Sequence, residues 1–456
     1  MDLKDKKITV VGLGNSGLNA AILLSDIGAK VWATDSQDTS SVKENAALLE
    51  KRSIKIEMGG HSEDFIKGSE LVVLSPCVEN TSPVIKWAVR RDIPIISEME
   101  LGYRFCKGKI IAITGTNGKS TVTTLIGQVL KDGGEDTVAC GNIGNSLCGE
   151  ISRIKDNTWV VLEVSSFQLE RIKAFKPHIA MILNITDDHM DRYKTFNEYF
   201  NEKLKVFYNQ DENDILILNY DALNLRSLKD KTTSKVLFYS RLKKTNGAYV
   251  KDGHIFCKYS GVDKKICAVA DIRLKGLYNL ENVLASSLVS SLVGVNEGSI
   301  RNTIKSFEGL SHRFETVDII DGIEYIDDSK GTTVDSTYRA LESCEKPVIL
   351  IAGGKDKNSD YRIVRDMIKK KVRHLILIGE AKLAIKKALR NAAATEEAKD
   401  MLEAVKMAHG LAKENSIVLL SPMCSSFDMY TSYSQRGEVF KEAVRYIKEN
   451  FERMQT

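Results

Sequence analysis

Short apolar runs rich in β-branched residues alternate with helical patterns along nearly the whole chain. That alternation leaves few folds open, because strand–helix units wind into parallel sheets. In the first hundred residues the predicted strands are Ile8–Val11, Lys30–Ala33, Leu71–Leu74 and Pro94–Ile96. A second series follows at Lys109–Ile113, Trp159–Val164 and Ile179–Ile185. Residues 211–275 read as shorter strands with a hairpin at Asp252-Gly253, and Asn279–Val293 reads as a helix. A third series opens with a hairpin, Val317–Ile320 and Ile323–Ile326 around Asp321-Gly322. It continues with Val348–Ile351, Leu375–Ile378 and Ile417–Leu420. Breaks near 97 and 310 divide the pattern into three α/β domains, which suits 456 residues at about 150 per domain.

Composition closes off other classes. With 43% hydrophobic residues and only 6 prolines, each domain can bury an ordinary core, so disordered and collagen-like chains are excluded. Lys+Arg minus Asp+Glu is 65 − 61 = +4, without blocks of like charge, so no nucleic-acid partner is indicated. No apolar run approaches the roughly 18 residues that cross a bilayer, so no membrane insertion is expected. The charged start, Asp2 to Lys7, leads into a strand and does not read as a signal peptide. The 8 cysteines form no Cys-x-x-Cys pair, which argues for reduced thiols in a cytoplasmic protein.

The sharpest motif is Thr114-Gly115-Thr116-Asn117-Gly118-Lys119-Ser120-Thr121, set between a strand and a helix. Such a loop turns backbone N–H groups and a helix N-terminus toward a phosphate. Lys119 would reach the β- and γ-phosphates of ATP, and the Ser120 hydroxyl would sit on Mg²⁺. The full Gly-x4-Gly-Lys-Ser pattern wants glycine at 113, where this chain has Ile113.

Gly12-Leu13-Gly14-Asn15-Ser16-Gly17, with Asp35 about 20 residues on, matches the dinucleotide fingerprint. It specifies a diphosphate over a helix N-terminus and a ribose or base near Asp35, and it does not specify hydride transfer. A nicotinamide-dependent oxidoreductase would explain residues 12–35 and leave 114–121 idle. A non-catalytic P-loop switch would do the reverse.

Three strands of the middle domain end in polar clusters: 115–120, Glu163 to Ser166, and Thr186-Asp187-Asp188-His189. Ligands of open parallel sheets bind beyond the carboxyl ends of the strands, so these clusters should converge. A glutamate closing the apolar Trp159–Leu162 run points to Mg²⁺. In the third domain, Asp327-Asp328-Ser329-Lys330, His312 to Glu315, Gly353 to Lys357 and Ser421 to Ser426 stand at strand ends or beside the hairpin.

Residues 112–121, Ala-Ile-Thr-Gly-Thr-Asn-Gly-Lys-Ser-Thr, resemble the ATP loop of the Mur ligases, the amide-forming enzymes of peptidoglycan precursor synthesis. Folylpolyglutamate synthetases usually carry Gly-Lys-Gly-Ser there, so Gly-Lys-Ser-Thr favours the Mur side. Four further stretches resemble the branch that adds D-glutamate: 163–170 (EVSSFQLE), 187–193 (DDHMDRY), 312–315 (HRFE) and 327–330 (DDSK). Residues 421–428 and 435–437 agree. The Asp-Asn-Pro-Arg element of the diaminopimelate-adding member does not occur.

The resemblance implies three domains: 1–97, Rossmann-like, for a UDP substrate; 98–309, of P-loop ATPase type; 310–456, Rossmann-like, for the amino acid. It implies an ATP-dependent ligase that joins D-glutamate to UDP-N-acetylmuramoyl-L-alanine through an acyl phosphate. Such an enzyme would work as a cytoplasmic monomer serving cell-wall synthesis, and so cell shape and division. Asn15, Ser16 and Asp35 would hold the UDP, while Asn142 and His189 meet the muramoyl part. Gly115, Thr116, Asn117, Gly118, Lys119, Ser120 and Thr121 would cradle ATP, with Asn279, Asn282, Arg313 and Asp328. Ser120, Glu163, His189 and Lys203 would surround two Mg²⁺ ions, Lys203 as a carbamate, because only the carbamate offers oxygens. Lys119, Glu163, His189 and Lys203 form the implied catalytic set. Lys330, Thr332, Lys357, Ser426 and Tyr433 would hold D-glutamate. The chain departs from the family at Cys77, for a usual glycine, at Gln37, for a frequent arginine, at Gly331, for alanine, and at Tyr433, for phenylalanine.

Overall fold

A computed structural model describes residues 2–190, 192–274, 276–357 and 359–455. It divides into two compact units: residues 1–185, 192–270 and 282–304, then 186–191, 271–281 and 305–456. The expected α/β class holds throughout.

The first unit carries two sheets. One contains β1 (Lys7–Val11), β2 (Lys30–Thr34), β3 (Lys55–Glu57), β4 (Leu71–Leu74) and β5 (Ile95–Ser97). All its pairings are parallel, in the order β3-β2-β1-β4-β5. Ile8, Val10 and Val11 of β1 and all four residues of β4 are buried, as strands covered by helices on both faces require.

The second sheet is built from β6 (Lys109–Thr114), β7 (Thr137–Gly141), β8 (Trp159–Glu163), β9 (Ile179–Ile182), β10 (Ile215–Asn219), β11 (Lys235–Ser240), β12 (Gly247–Lys251), β13 (His254–Tyr259) and β14 (Val262–Ala268). Their order is β14-β13-β12-β11-β10-β9-β6-β8-β7. Only β13 runs antiparallel, and its turn with β12 is Asp252-Gly253, with φ of 47° and 69°. Positive φ at both central residues suits the twist of a two-residue hairpin.

Glu100 welds these parts together. Fully buried, it accepts N–H bonds from Lys173, Ala174 and Phe175 at 2.9, 2.9 and 3.0 Å and pairs with Arg104 at 2.8 Å. A buried carboxylate is tolerated where donors surround it in this way.

The second unit has one sheet: β15 (Glu315–Ile320), β16 (Ile323–Asp327), β17 (Val348–Gly353), β18 (Val372–Ile378), β19 (Ala394–Glu397) and β20 (Ile417–Leu420). The order is β15-β16-β20-β17-β18-β19, parallel except for the first hairpin. Asp321 and Gly322 turn that hairpin with φ of 50° and 70°.

Candidate active site

The order β3-β2-β1-β4-β5 reverses between β1 and β4, and open α/β sheets bind ligands at that switch point. A cleft of about 560 Å³ opens there, lined by Gly14, Asn15, Ser16, Asp35, Ser75 and Cys77 among others. The three glycines have separate tasks. Gly12 is left-handed (φ 87°), and a Cβ there would meet Ser75 Cβ at 2.9 Å. A Cβ on Gly17 would fall 1.7 Å from the Gly12 carbonyl oxygen, so the helix Asn15–Asp26 can lie against β1 only through a glycine. Gly14 has open space at its Cβ position, which leaves its backbone free to meet a ligand. The Asp35 carboxylate accepts the N–H groups of Leu13 (2.6 Å) and Gln37 (2.9 Å), holding the loop and the cleft rim together. Cys77 is exposed with an unbridged thiol and no left-handed φ, so a side chain at this position strains nothing.

In the middle sheet, β6 ends at Thr114 and the chain turns through Gly115 and Gly118 (φ 155° and 86°) into the helix Lys119–Asp132. Asn184 holds this loop open. Its carbonyl accepts Thr116 N–H at 2.9 Å, its Oδ1 accepts Asn117 N–H at 2.8 Å, and its Nδ2 donates to Asn117 O at 3.1 Å. A Cβ on Gly118 would lie 2.6 Å from Asn282 Oδ1, so the helix Leu277–Val293 closes the far side.

Two ammonium groups share the Gly115 carbonyl: Lys119 Nζ at 2.9 Å, which also reaches Thr116 O at 3.0 Å, and Lys203 Nζ at 2.9 Å. Lys203 is buried and stands 4.7 Å over the Tyr199 ring, whose hydroxyl is 3.1 Å from Thr116 Oγ1. Glu163 ends β8 in register with Ile113 on one side and Gly141 on the other. Its Oε1 accepts from Asn142 Nδ2 at 2.9 Å, while its Oε2 is buried without a hydrogen-bond partner. Buried polar atoms are rarely left unpaired, and a lone carboxylate oxygen beside a phosphate loop fits a hard cation.

In the second unit the segment after β16 carries Asp328, Ser329, Lys330, Gly331 and Thr332. His312 Nδ1 and Asp327 Oδ2 are 2.7 Å apart, and Ser329 N–H bonds Asp327 Oδ1 at 2.9 Å. Arg436 is buried and donates to the carbonyls of Ser329 (2.8 Å), Cys424 (3.1 Å) and Ser425 (3.3 Å). It thereby ties the loop of Lys330 to the loop of Ser426, and although burial lowers its pKa to about 10, it stays charged at neutral pH. Lys330 Nζ rests 3.8 Å over the Tyr433 ring. Lys357 is half-buried on the loop after β17, where Lys355 N–H bonds Ser425 O at 2.9 Å. Arg313 lies between His312 and Phe314, both left-handed (φ 66° and 52°). A Cβ on Gly331 would fall 2.4 Å from Asp328 Oδ2, which accounts for glycine there.

Asp328 accepts the Ser421 hydroxyl at 2.8 Å, and burial, the dominant cause, raises its pKa from 3.8 to about 7. The folded state therefore holds this proton over a pH range in which the unfolded chain has released it. The group's stabilising contribution is complete below pH 3.8 and is lost as pH rises through about 7. Asp328→Asn should raise the melting temperature at pH 8, by a few kcal/mol in stability at most, and change little at pH 4. Calorimetry giving the same difference at both pH values would contradict this.

Comparison with known proteins then decides the lineage. Residues 6–97 match the Mur ligase MurD-like N-terminal domain, 113–290 the Mur ligase middle domain, and 312–424 the Mur ligase glutamate ligase domain. A UDP-N-acetylmuramoylalanine–D-glutamate ligase of Thermoanaerobacter pseudethanolicus is 42% identical, over 98% of this chain and 100% of the relative. One from Koribacter versatilis is 40% identical over 98% and 99%. The chain belongs to the Mur ligase family. Solved structures share the fold: UDP-N-acetylmuramate-alanine ligase MurC of Thermotoga maritima has a TM-score of 0.60 at 20% identity, covering 97% of this chain and 100% of that one. MurF ligase of the same organism, in complex with ADP, has a TM-score of 0.60 at 14% identity and full coverage of both chains.

The fingerprint residues 12–17 fall within the segment that matches the Mur ligase MurD-like N-terminal domain. Within the first unit the sequence-predicted residues fall into two groups: Asn15, Ser16 and Asp35 at the cleft, and the 115–121 loop with Asn142, Glu163, Lys203 and Asn282 at the middle sheet. Within the second, Arg313, Asp328, Lys330, Thr332, Lys357, Ser426 and Tyr433 lie on the segments around β15, β16, β17 and β20. Asn279 and His189 are also grouped with the second unit. His189 is left-handed (φ 56°), with its ring 3.4 Å from Asp188. Asp191 of the 187–193 motif lies outside the described residues. Sequence reasoning gave no role to Asn184, Tyr199 or Arg436, although Arg436 stands in the quoted stretch 435–437 and Asn184 is a polar residue inside the apolar run 179–185.

Proposed function

We propose that this Mur ligase joins D-glutamate to UDP-N-acetylmuramoyl-L-alanine with ATP, along the three segments 1–97, 98–309 and 310–456. One observation carries the site assignment: the unpartnered buried oxygen of Glu163 stands at the strand end beside a phosphate loop whose Gly115 carbonyl already gathers two ammonium groups. A carboxylate becomes an acceptor for an amine only after its oxygen is made a leaving group. The L-alanyl carboxylate takes the γ-phosphoryl group, the amine of D-glutamate attacks the acyl phosphate, and the tetrahedral oxyanion collapses with loss of phosphate. No protein nucleophile is needed, so positioning and charge neutralisation carry the rate.

Lys119 neutralises phosphate charge once it leaves the carbonyls of Gly115 and Thr116, and the backbone of 115–121 cradles the phosphates. Mg²⁺, held by Ser120 and Glu163 and at a second position by His189 and a carbamylated Lys203, would supply further neutralisation between the two anions. Burial of Lys203 supports the carbamate, because burial disfavours the ammonium, and the uncharged amine is the form that adds CO2. His189 is the candidate to take the amine's proton. Asn279, Asn282, Arg313 and Asp328 complete the nucleotide's contacts, and Asn15, Ser16 and Asp35 those of the UDP group. Lys330, Thr332, Lys357, Ser426 and Tyr433 would hold D-glutamate. Such a ligase would act as a cytoplasmic monomer; among the described residues no helix is long and apolar enough to cross a membrane.

The test is phosphate release from Mg-ATP and UDP-N-acetylmuramoyl-L-alanine with single amino acids added in turn. Release with D-glutamate alone, with the amide product at its expected mass, is the predicted result. Release with L-lysine or diaminopimelate would refute the reading of residues 310–456.

A further inference from the structure

Arg192 takes no part in the chemistry above, yet its guanidinium is spent on two distant segments at once. Its Nε and Nη2 take the two Glu170 oxygens at 3.0 and 2.8 Å, the bidentate geometry that makes such pairs strong. Its remaining donors cross to the first sheet's loop, Nη1 to Pro76 O and Nη2 to Val78 O, both at 3.2 Å. The guanidinium carbon lies 4.2 Å over the Phe167 ring, and the side chains of Arg192 and Glu170 are only 14% and 7% exposed. Tyr193 adds its hydroxyl to Glu170 at 2.8 Å.

The segment it grips is the second wall of the cleft. Ser75, Pro76, Cys77 and Val78 line it, the turn is closed by Val78 N–H on Ser75 O at 3.1 Å, and Ser75 Oγ is bonded to Gly12 O at 2.8 Å. Glu170, at the other end, caps the short helix Ser166–Leu169 that follows Glu163. We infer that Arg192 is a positioning residue: it sets the 75–78 wall for the uridine diphosphate group and ties that wall to the strand-end segment bearing Glu163. This rests on the cleft being the UDP site. Lysine could not replace it, because one ammonium cannot serve a bidentate carboxylate and two carbonyls in a single plane.

The experiment uses the full chain and two probes, UDP and ADP, titrated by calorimetry into wild type, Arg192→Lys and Glu170→Gln. Arg192→Lys should weaken UDP about tenfold or more while ADP, bound at the 115–121 loop, stays within about twofold. The KM for UDP-N-acetylmuramoyl-L-alanine should rise likewise, with the KM for ATP unmoved. Glu170→Gln keeps the arginine and should give a smaller loss of the same kind, and the double variant less than the product of the two. If Arg192→Lys proves too unstable to titrate, Glu170→Gln alone decides. Unchanged UDP binding, or equal weakening of UDP and ADP, overturns the inference. A wild-type chain that binds no UDP overturns the reading of the cleft instead.

Discussion

Glu163→Gln should lower kcat about a thousandfold while the protein folds and binds UDP as before. The substitution is nearly isosteric, and the amide's oxygen can still accept from Asn142 as Glu163 Oε1 does at 2.9 Å. What changes is the other atom. The buried Oε2, without a partner, becomes an NH2 group, which donates hydrogen bonds and cannot ligate a cation. Stability should hold or rise, since an ionised oxygen is no longer kept out of water. The Mg²⁺ concentration for half-maximal rate should climb with the loss of kcat. Near-wild-type turnover with an unchanged Mg²⁺ dependence would remove Glu163 from the metal site, and with it the observation on which the site assignment rests.

Much of the fold was legible because parallel strands buried on both faces are written as continuous apolar runs, and those of β1, β4, β6, β17 and β20 were read within a residue or two. The missed strands are short and lie at sheet edges. β3 has 3 residues, and β19 is Ala-Thr-Glu-Glu, an edge strand that exists because β18 offers it backbone partners. β7, also at an edge, alternates buried and exposed positions over too few residues to stand out.

The overextended strand is more instructive. Ile179–Ile185 reads as one apolar run, but regular pairing ends at Ile182, and Asn184 turns its side chain and carbonyl to the phosphate loop. Local pattern failed there because a tertiary contact with the 115–121 loop outweighed it. Glu100 drew no notice, and Arg192 and Arg436 stood in quoted motifs without a role, for another reason: their meaning lies in partners such as Phe175, Val78 and Ser329, which spacing along the chain does not reveal.

Gly17→Ala should destabilise the first unit by more than about 3 kcal/mol and abolish UDP binding, whereas Gly14→Ala should abolish binding alone. The two glycines belong to one fingerprint and differ in what surrounds them. A methyl on Gly17 would sit 1.7 Å from Gly12 O and 2.8 Å from Ser75 Oγ, and the first of these is backbone that cannot rotate away. The helix cannot retreat either, because Ala20, Ala21 and Leu24 are buried on the same element. Relief requires lifting the helix N-terminus from β1, which moves Asn15, Ser16 and the N–H groups that would meet a diphosphate. At Gly14 nothing lies within 4 Å, and its φ of −67° and ψ of −174° suit alanine, so the fold should lose under about 1 kcal/mol. The added methyl instead occupies the approach to the backbone from the cleft. Thermal melts and UDP titrations of both variants give a crossed pattern if this division holds. A Gly17→Ala protein that melts with wild type would mean that the contact between helix and strand is far more compliant than the close approach of Gly17 to the Gly12 carbonyl allows.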